Sequence, residues 1–191
     1  MKRILVYLIG TFITSLLFYG YAFPGNPLPQ KGSTLPDIKL AVPKVPAHQD
    51  YLGLSGAGFF KLPDIKAKVV IIEIYSMYCP HCQREAPSVN ELYRTIENSP
   101  DAKGKVKLIG IGAGNDAFEV DYFRKTYDVP FPLFEDENYL IHEQLGRPAT
   151  PFFIGVKIND DGAHEVFYTQ LGGFERADKF LDLILEQSGL K

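Results

Sequence analysis

The chain has 191 residues, of which 46% are hydrophobic and 23% are charged, and its formal net charge is −3 at pH 7. This length predicts one domain, and the composition excludes both a wholly disordered chain and the basic surface of a nucleic-acid-binding protein. Because only two cysteines occur, the sequence also excludes a disulfide-stapled scaffold and a metal or iron–sulfur site built from several cysteines.

The N-terminal segment has the pattern of a secretory signal peptide. A basic start is followed by an apolar run over residues 4–18 and then by small residues at Gly20 and Ala22. We expect cleavage after Ala22, and the alternative is a retained membrane anchor over residues 4–22. In both cases the remaining chain is expected outside the cytoplasm, in the periplasm or secreted.

A proline-rich stretch follows, since residues 23–46 contain six of the 14 prolines. Closely spaced prolines favour extended backbone, so we interpret this stretch as a linker that becomes an N-terminal extended arm. A short edge strand is expected within it at residues 37–42. The domain itself is predicted to occupy residues 47–191.

The remaining sequence alternates strand and helix patterns. Short β-branched or apolar runs predict strands at residues 69–75, 105–112, 131–134, 152–157 and 165–171, the last two joined by a hairpin turn at 159–162. Apolar residues at helical spacing predict helices at residues 79–98, 116–127, 137–145 and 176–187, the second with Asn115 as its N-cap. This βαβαβαββα order indicates an α/β fold with a central mixed β-sheet flanked by helices.

Both cysteines lie in one motif, Cys79-Pro80-His81-Cys82, which follows a predicted buried strand and opens a helix. The unpaired N–H groups and the positive dipole end of a helix N-terminus stabilise a thiolate, which is the nucleophile of disulfide exchange. We therefore expect Cys79 to attack a substrate and Cys82, one turn later, to resolve the mixed disulfide. His81 either supplies a cation or donor that lowers the pKa of Cys79, or is a solvated residue of the first helical turn.

Other uses of two cysteines fit this sequence less well. Haem attachment requires a histidine after the second cysteine, where the chain has Gln83, and a zinc site requires more ligands than the scattered His48, His142 and His164. A static disulfide across so short a loop constrains the unfolded chain little, so a structural disulfide is not favoured. A peroxidase is not favoured either, because cysteines one turn apart favour exchange over peroxide reduction. A non-catalytic copper(I)-handling module that uses the same two thiolates stays the alternative. No metal and no separate cofactor are expected, because a redox-active Cys79–Cys82 pair itself carries two electrons.

A carboxylate, Glu73, interrupts the apolar strand six residues before Cys79. A buried carboxylate is costly unless it has a task, so we interpret Glu73 as a general base with a raised pKa that accepts the proton of Cys82. The alternative is a position at a strand edge, where the side chain meets water.

A proline opens one of the later predicted strands, at Thr150-Pro151, and in this sequence context it fits a cis peptide bond. Thr150 would then present backbone groups to an extended substrate peptide beside Cys79. An ordinary trans proline at a strand start is the alternative.

Several of these segments together resemble a known superfamily. Residues 69–87, the Thr150-Pro151 pair and residues 172–184 resemble the thioredoxin superfamily. The N-terminal arm, the helix at 116–127 and a Cys-x-x-Cys-x-x-Glu-x-Pro run resemble its TlpA/ResA-like branch of membrane-associated or periplasmic thiol-disulfide oxidoreductases; that run is formed by Cys79, Cys82, Glu85 and Pro87. The resemblance implies a thioredoxin-like fold, a redox-active cysteine pair, a cis proline at Pro151, protein thiols or disulfides as substrates, and a membrane or periplasmic redox partner.

Two features depart from that branch. Tyr78, a candidate substrate contact, precedes the first cysteine, where the branch usually has tryptophan. The Pro80-His81 dipeptide and the spacing of Glu73, Ser76 and Cys79 resemble DsbA instead, an oxidase of secreted proteins, although the helical insertion of DsbA has no signal here. The two resemblances therefore imply opposite directions of electron flow.

Overall fold

The computed structural model describes residues 25–159 and 161–191. The predicted signal peptide or anchor at residues 1–22 lies outside these ranges. None of the helices within them combines the length and the apolar character needed to cross a bilayer.

Seven strands and five α-helices are found in the described residues. The strands are β1 (Lys39–Ala41), β2 (Phe59–Lys61), β3 (Val69–Tyr75), β4 (Val106–Ala113), β5 (Leu133–Asp136), β6 (Phe152–Ile158) and β7 (His164–Leu171). The helices are α1 (Pro46–Leu52), α2 (Pro80–Asn98), α3 (Ala117–Thr126), α4 (Leu140–Gln144) and α5 (Ala177–Ser188), with one 3-10 turn at Leu62–Asp64. Each element predicted from residue 69 onwards is present close to its predicted bounds.

Five strands form one mixed sheet in the order β5-β4-β3-β6-β7. β3, β4 and β5 run parallel, whereas β6 and β7 are antiparallel to their neighbours. The central strand β3 is buried along its whole length, which explains its nearly continuous run of β-branched residues. The sheet confirms the predicted α/β fold, and its parallel strands end at one edge, where α2 and α3 begin.

The sheet separates two apolar cores. On one face, α2 and α5 pack against each other and against the strands. On the other face, the core includes Leu35, Ile38 and Leu40 from the proline-rich arm. Phe60 of β2 also reaches Phe134 of β5, with 5.6 Å between the ring centroids. The second half of the arm is therefore packed onto the sheet.

The region before the sheet contains two elements that the sequence did not predict. β1 lies inside the predicted edge strand at 37–42 and pairs antiparallel with β2, which was not foreseen. Helix α1 was not foreseen either, because Leu52 is the only residue that it buries and one buried position gives no periodic pattern.

The predicted N-cap of α3 is wrong by one residue. The cap is Asp116, whose side chain accepts a hydrogen bond from the Glu119 N–H at 2.8 Å, while the Glu119 carboxylate accepts the Asp116 N–H at 3.1 Å. This reciprocal pair is a capping box, and it fixes the helix start at Ala117. Asn115 is fully buried and instead accepts the Met77 N–H at 2.8 Å, which ties the loop before the cysteines to the start of α3.

Candidate active site

The two cysteines lie where β3 ends and α2 begins. Cys79 is the N-cap of α2, and its sulfur accepts the backbone N–H of Cys82 at 3.4 Å. Cys79 is partly exposed, whereas Cys82 is fully buried, and both are free thiols. Pro80 occupies the first helical position, where its missing N–H costs no hydrogen bond. The geometry presents one sulfur to solvent and shields the other.

The environments of the two thiols shift their pKa values in opposite directions. Partial burial acts to raise the pKa of Cys79, but hydrogen bonds with the Thr150 side chain and with the backbone N–H groups of Cys82 and His81 outweigh it, so the net pKa is lowered. Burial raises the pKa of Cys82 far above its ordinary value, and the negative charge of Glu73 adds to this. Cys79 is therefore the thiol that ionises first.

The His81 side chain makes its hydrogen-bond contact with Arg84 of the same helix. The side chain is exposed, and Nδ1 lies 2.8 Å from the Arg84 guanidinium. His81 lowers the pKa of Cys79 through its backbone N–H. The electrostatic role of the ring stays a prediction.

Glu73 lies in the middle of the sheet and not at a strand edge. Its partners in register are Gly110 of β4 and Phe153 of β6, and its side chain is 3% exposed. Burial, followed by the negative charges of Glu85 and Cys79, raises the pKa of its carboxyl group to about 8. The alternative of a solvated position is thus wrong, and Glu73 is a carboxyl group that can carry a proton near neutral pH.

Glu85 is a site residue whose position no local sequence pattern predicts. It lies on α2 one turn after Cys82, and its Oε1 accepts the Phe174 N–H at 2.9 Å. A Cβ atom at Gly173 would lie 2.1 Å from Glu85 Oε2, so the carboxylate fills the space that the glycine leaves. The only sequence signal for this placement was the glutamate in the family-like Cys-x-x-Cys-x-x-Glu run.

The loop before β6 contributes the residues opposite the cysteines. The Thr150–Pro151 peptide bond is cis, the isomer that the sequence predicted. The Cys79 sulfur lies 3.3 Å from the Thr150 carbonyl oxygen, so this loop touches the exposed thiol. The Pro151 carbonyl accepts the Gly172 N–H at 2.9 Å, which joins the loop to the end of β7.

Tyr78 precedes the reactive cysteine on the surface. Its side chain is 65% exposed, and its hydroxyl donates to the Glu119 carboxylate of α3.

The structure brings the predicted site residues on β3, α2 and the Thr150 loop together around Cys79. Among the described residues, no group of three or more His, Cys, Asp or Glu side chains is arranged to hold a metal ion.

Two relatives with similar sequences are both named thiol-disulfide oxidoreductase ResA. ResA of Halalkalibacterium halodurans, named as a thiol-disulfide oxidoreductase, is 26% identical over 126 residues, which covers 65% of this chain and 66% of the relative. ResA of Bacillus cereus is 35% identical over 97 residues, which covers 49% of this chain and 53% of the relative. Neither match reaches two thirds of the relative's own length.

Solved structures show the fold. A putative thiol:disulfide interchange protein DsbE from Chlorobium tepidum matches with a TM-score of 0.62 and 16% identity, and covers 85% of this chain and 99% of its own. StoA from Bacillus subtilis matches with a TM-score of 0.52 and 20% identity, and covers 66% and 88%. The fold is therefore thioredoxin-like. The resemblance of the Cys-Pro-His-Cys motif to DsbA stays a prediction.

The family model described as the AhpC/TSA family matches residues 32–166, which include β1 to β6 and both cysteines. This match covers most of the chain, and the chain belongs to the AhpC/TSA family.

Proposed function

We propose that this protein is a thiol-disulfide oxidoreductase that exchanges disulfides with protein substrates outside the cytoplasm. The observation that carries the proposal is the contrast between the two thiols. Cys79 is partly exposed with a lowered pKa, and Cys82 is buried with a raised pKa, on consecutive turns at one helix end. A nucleophile and a shielded resolving thiol need these two environments.

The first step uses the ionised sulfur of Cys79. The thiolate attacks one sulfur of a substrate disulfide, the other substrate sulfur leaves as a thiolate, and a mixed disulfide forms. Thr150, whose carbonyl lies 3.3 Å from the Cys79 sulfur, would align the extended substrate chain along the loop with Pro151, and Tyr78 would contact it from the other side. His81 and Pro80 hold the helix start that stabilises the thiolate.

The second step needs the proton of Cys82 to leave. Glu73 is buried and interacts electrostatically with both cysteines, and in its ionised form it would accept this proton as a general base. The Cys82 thiolate then attacks the Cys79 sulfur, the second substrate sulfur is released, and the Cys79–Cys82 disulfide forms. The same steps in reverse transfer that disulfide to a substrate dithiol. A membrane or periplasmic redox partner would restore the starting form.

Trapping of mixed disulfides tests this proposal. Cys82→Ser should accumulate mixed disulfides with substrate proteins in a secreting host, because Cys79 still attacks and nothing resolves the product. Cys79→Ser should accumulate none, since Cys82 is buried and protonated. Mass spectrometry of affinity-purified, non-reduced protein counts the adducts. Equal trapping by both variants would contradict the assigned roles, and copper(I) binding by both thiolates in a protein without exchange activity would contradict the proposal itself.

A further inference from the structure

Large exposed aromatic side chains lie on α3, after β5 and on the residue before the reactive cysteine. Tyr78 is 65% exposed and Phe118, in the first turn of α3, is 76% exposed. Tyr122 and Tyr139 are also large and exposed. Large exposed apolar side chains grouped together mark interaction sites, because a solvated surface has no need of them.

Hydrogen bonds and close packing hold this group together. The Tyr78 hydroxyl donates to Glu119, the residue after Phe118. Tyr139 lies against Gly114, where a Cβ atom would fall 2.1 Å from the tyrosine ring, and Gly114 is two residues before Asp116, the N-cap of α3. We call Tyr78, Phe118, Glu119, Tyr122 and Tyr139 the α3 surface.

The α3 surface is fixed relative to Cys79. The buried Asn115 accepts the Met77 N–H at 2.8 Å, and Gln83 of α2 donates to the Met77 carbonyl at 2.7 Å. The loop that leads into Cys79 is thereby clamped between α2 and the start of α3. A substrate held on the α3 surface would therefore meet the sulfur in a defined position, which is what selection between substrates needs.

The charge on this surface is negative. The Glu119 carboxylate accepts hydrogen bonds only from neutral groups, namely the Tyr78 hydroxyl, the Asp116 backbone N–H and the Asn115 amide. No ion pair of the described residues involves Glu119 or Asp116. A cationic side chain on a partner would find a carboxylate here that no cation within residues 25–159 and 161–191 already pairs with.

We propose that the α3 surface selects the substrate: it takes an extended polypeptide segment in which an aromatic or large aliphatic side chain and a Lys or Arg lie close to the reactive cysteine. The apolar side chain would pack on Phe118 and Tyr78, and the cation would pair with Glu119. This inference rests on the proposed exchange activity and names its substrate class.

Peptides with one cysteine test the inference. Four peptides carry either Phe or Ser on one side of the cysteine and either Lys or Glu on the other, and each is linked through its cysteine to thionitrobenzoate. The Cys79 thiolate of the reduced protein attacks the peptide sulfur, the S–S bond breaks, and thionitrobenzoate leaves as a coloured thiolate. The same leaving group on 2-mercaptoethanol provides the reference rate for every protein variant.

We expect the Lys peptides to react about two- to fivefold faster than the Glu peptides, and the Phe peptides about three- to tenfold faster than the Ser peptides. Glu119→Gln should remove the preference for Lys, and its amide oxygen can still take part in the helix cap. Phe118→Ser should reduce the preference for Phe. Phe59→Ser is the matched control, because Phe59 is also 76% exposed but lies on β2 outside the α3 surface, and it should keep both preferences.

The outcomes separate the two proposals. If the reduced wild-type protein fails to react with the 2-mercaptoethanol reference, the proposed exchange activity is wrong. If it reacts with the reference but treats the four peptides equally, or prefers Glu, the activity stands and the selection by the α3 surface is overturned. Equal loss of preference in Phe59→Ser and Phe118→Ser would also overturn it.

Discussion

Replacing Glu73 with glutamine should remove a large pH dependence of stability. The carboxyl pKa rises from its ordinary value of 4.5 to about 8 in the folded protein, chiefly because the side chain is buried in the sheet. Below pH 4.5 both folded and unfolded chains carry the proton. As the pH rises, the unfolded chain releases it and the folded chain does not, so stability falls until the pH passes about 8.

The size of the effect follows from the two pKa values. Each pH unit between about 4.5 and about 8 lowers the free energy of unfolding by roughly 1.4 kcal/mol, or about 5 kcal/mol over the whole window. Glutamine has the shape of the protonated carboxyl group and does not titrate. The stability of Glu73→Gln relative to the wild type should therefore increase by several kcal/mol from pH 4.5 to pH 8.

Urea unfolding of the dithiol protein at a series of pH values measures this difference. Titrating groups that do not interact with Glu73 contribute equally to both proteins and cancel in the comparison. Glu165→Gln is the matched control, because Glu165 is an exposed glutamate in β7 of the same sheet, and its difference from the wild type should stay flat. A difference between wild type and Glu73→Gln that does not change with pH would refute the reasoning.

Three further predictions concern the reaction and the chain start. Glu73→Gln should slow release of the mixed disulfide by Cys82 much more than its formation, as measured by stopped-flow mixing; equal slowing of both steps would speak against a proton relay. His81→Ala should raise the pKa of the Cys79 thiol and lower the reduction potential together, by about 30 mV for each tenfold change in the exchange equilibrium; an unchanged potential against a glutathione buffer would remove His81 from this role. Intact-mass analysis of protein from a secreting host should give a chain that starts at Phe23, and a full-length, membrane-extracted chain would show a retained anchor.

The sequence predicted the central strands and the long helices well, because β3 and β4 are continuous buried runs and α2 and α5 bury periodic faces. The elements before the five-stranded sheet were harder to predict, since β2 has three residues and α1 buries one side chain. Neither element has a pattern of its own, and both exist because the arm and the sheet provide a surface for them. The N-cap of α3 was misplaced because Asn115 and Asp116 are both good caps, and only the reciprocal bonds with Glu119 decide between them.

The candidate site was predictable where chemistry and chain position coincide. The cysteine motif, the buried carboxylate at Glu73 and the cis bond at Pro151 each occupy a place that a local pattern indicates. The placement of Glu85 was not predictable, because it depends on Gly173, which is 88 residues away in the chain. The exposed ring of Phe118 was not predictable either, because a single apolar residue in the first turn of a helix gives no periodic pattern.

The close approach of Gly173 to Glu85 couples two distant positions of the chain. The carboxylate occupies the volume of the missing side chain and accepts the N–H of Phe174, so neither residue can be exchanged freely while the other stays. Among natural homologues, a residue larger than glycine at position 173 should therefore accompany a shorter side chain at position 85. Positions 85 and 173 should therefore covary in an alignment of homologues. Such covariation would indicate a packing constraint beside the cysteines that neither position indicates alone.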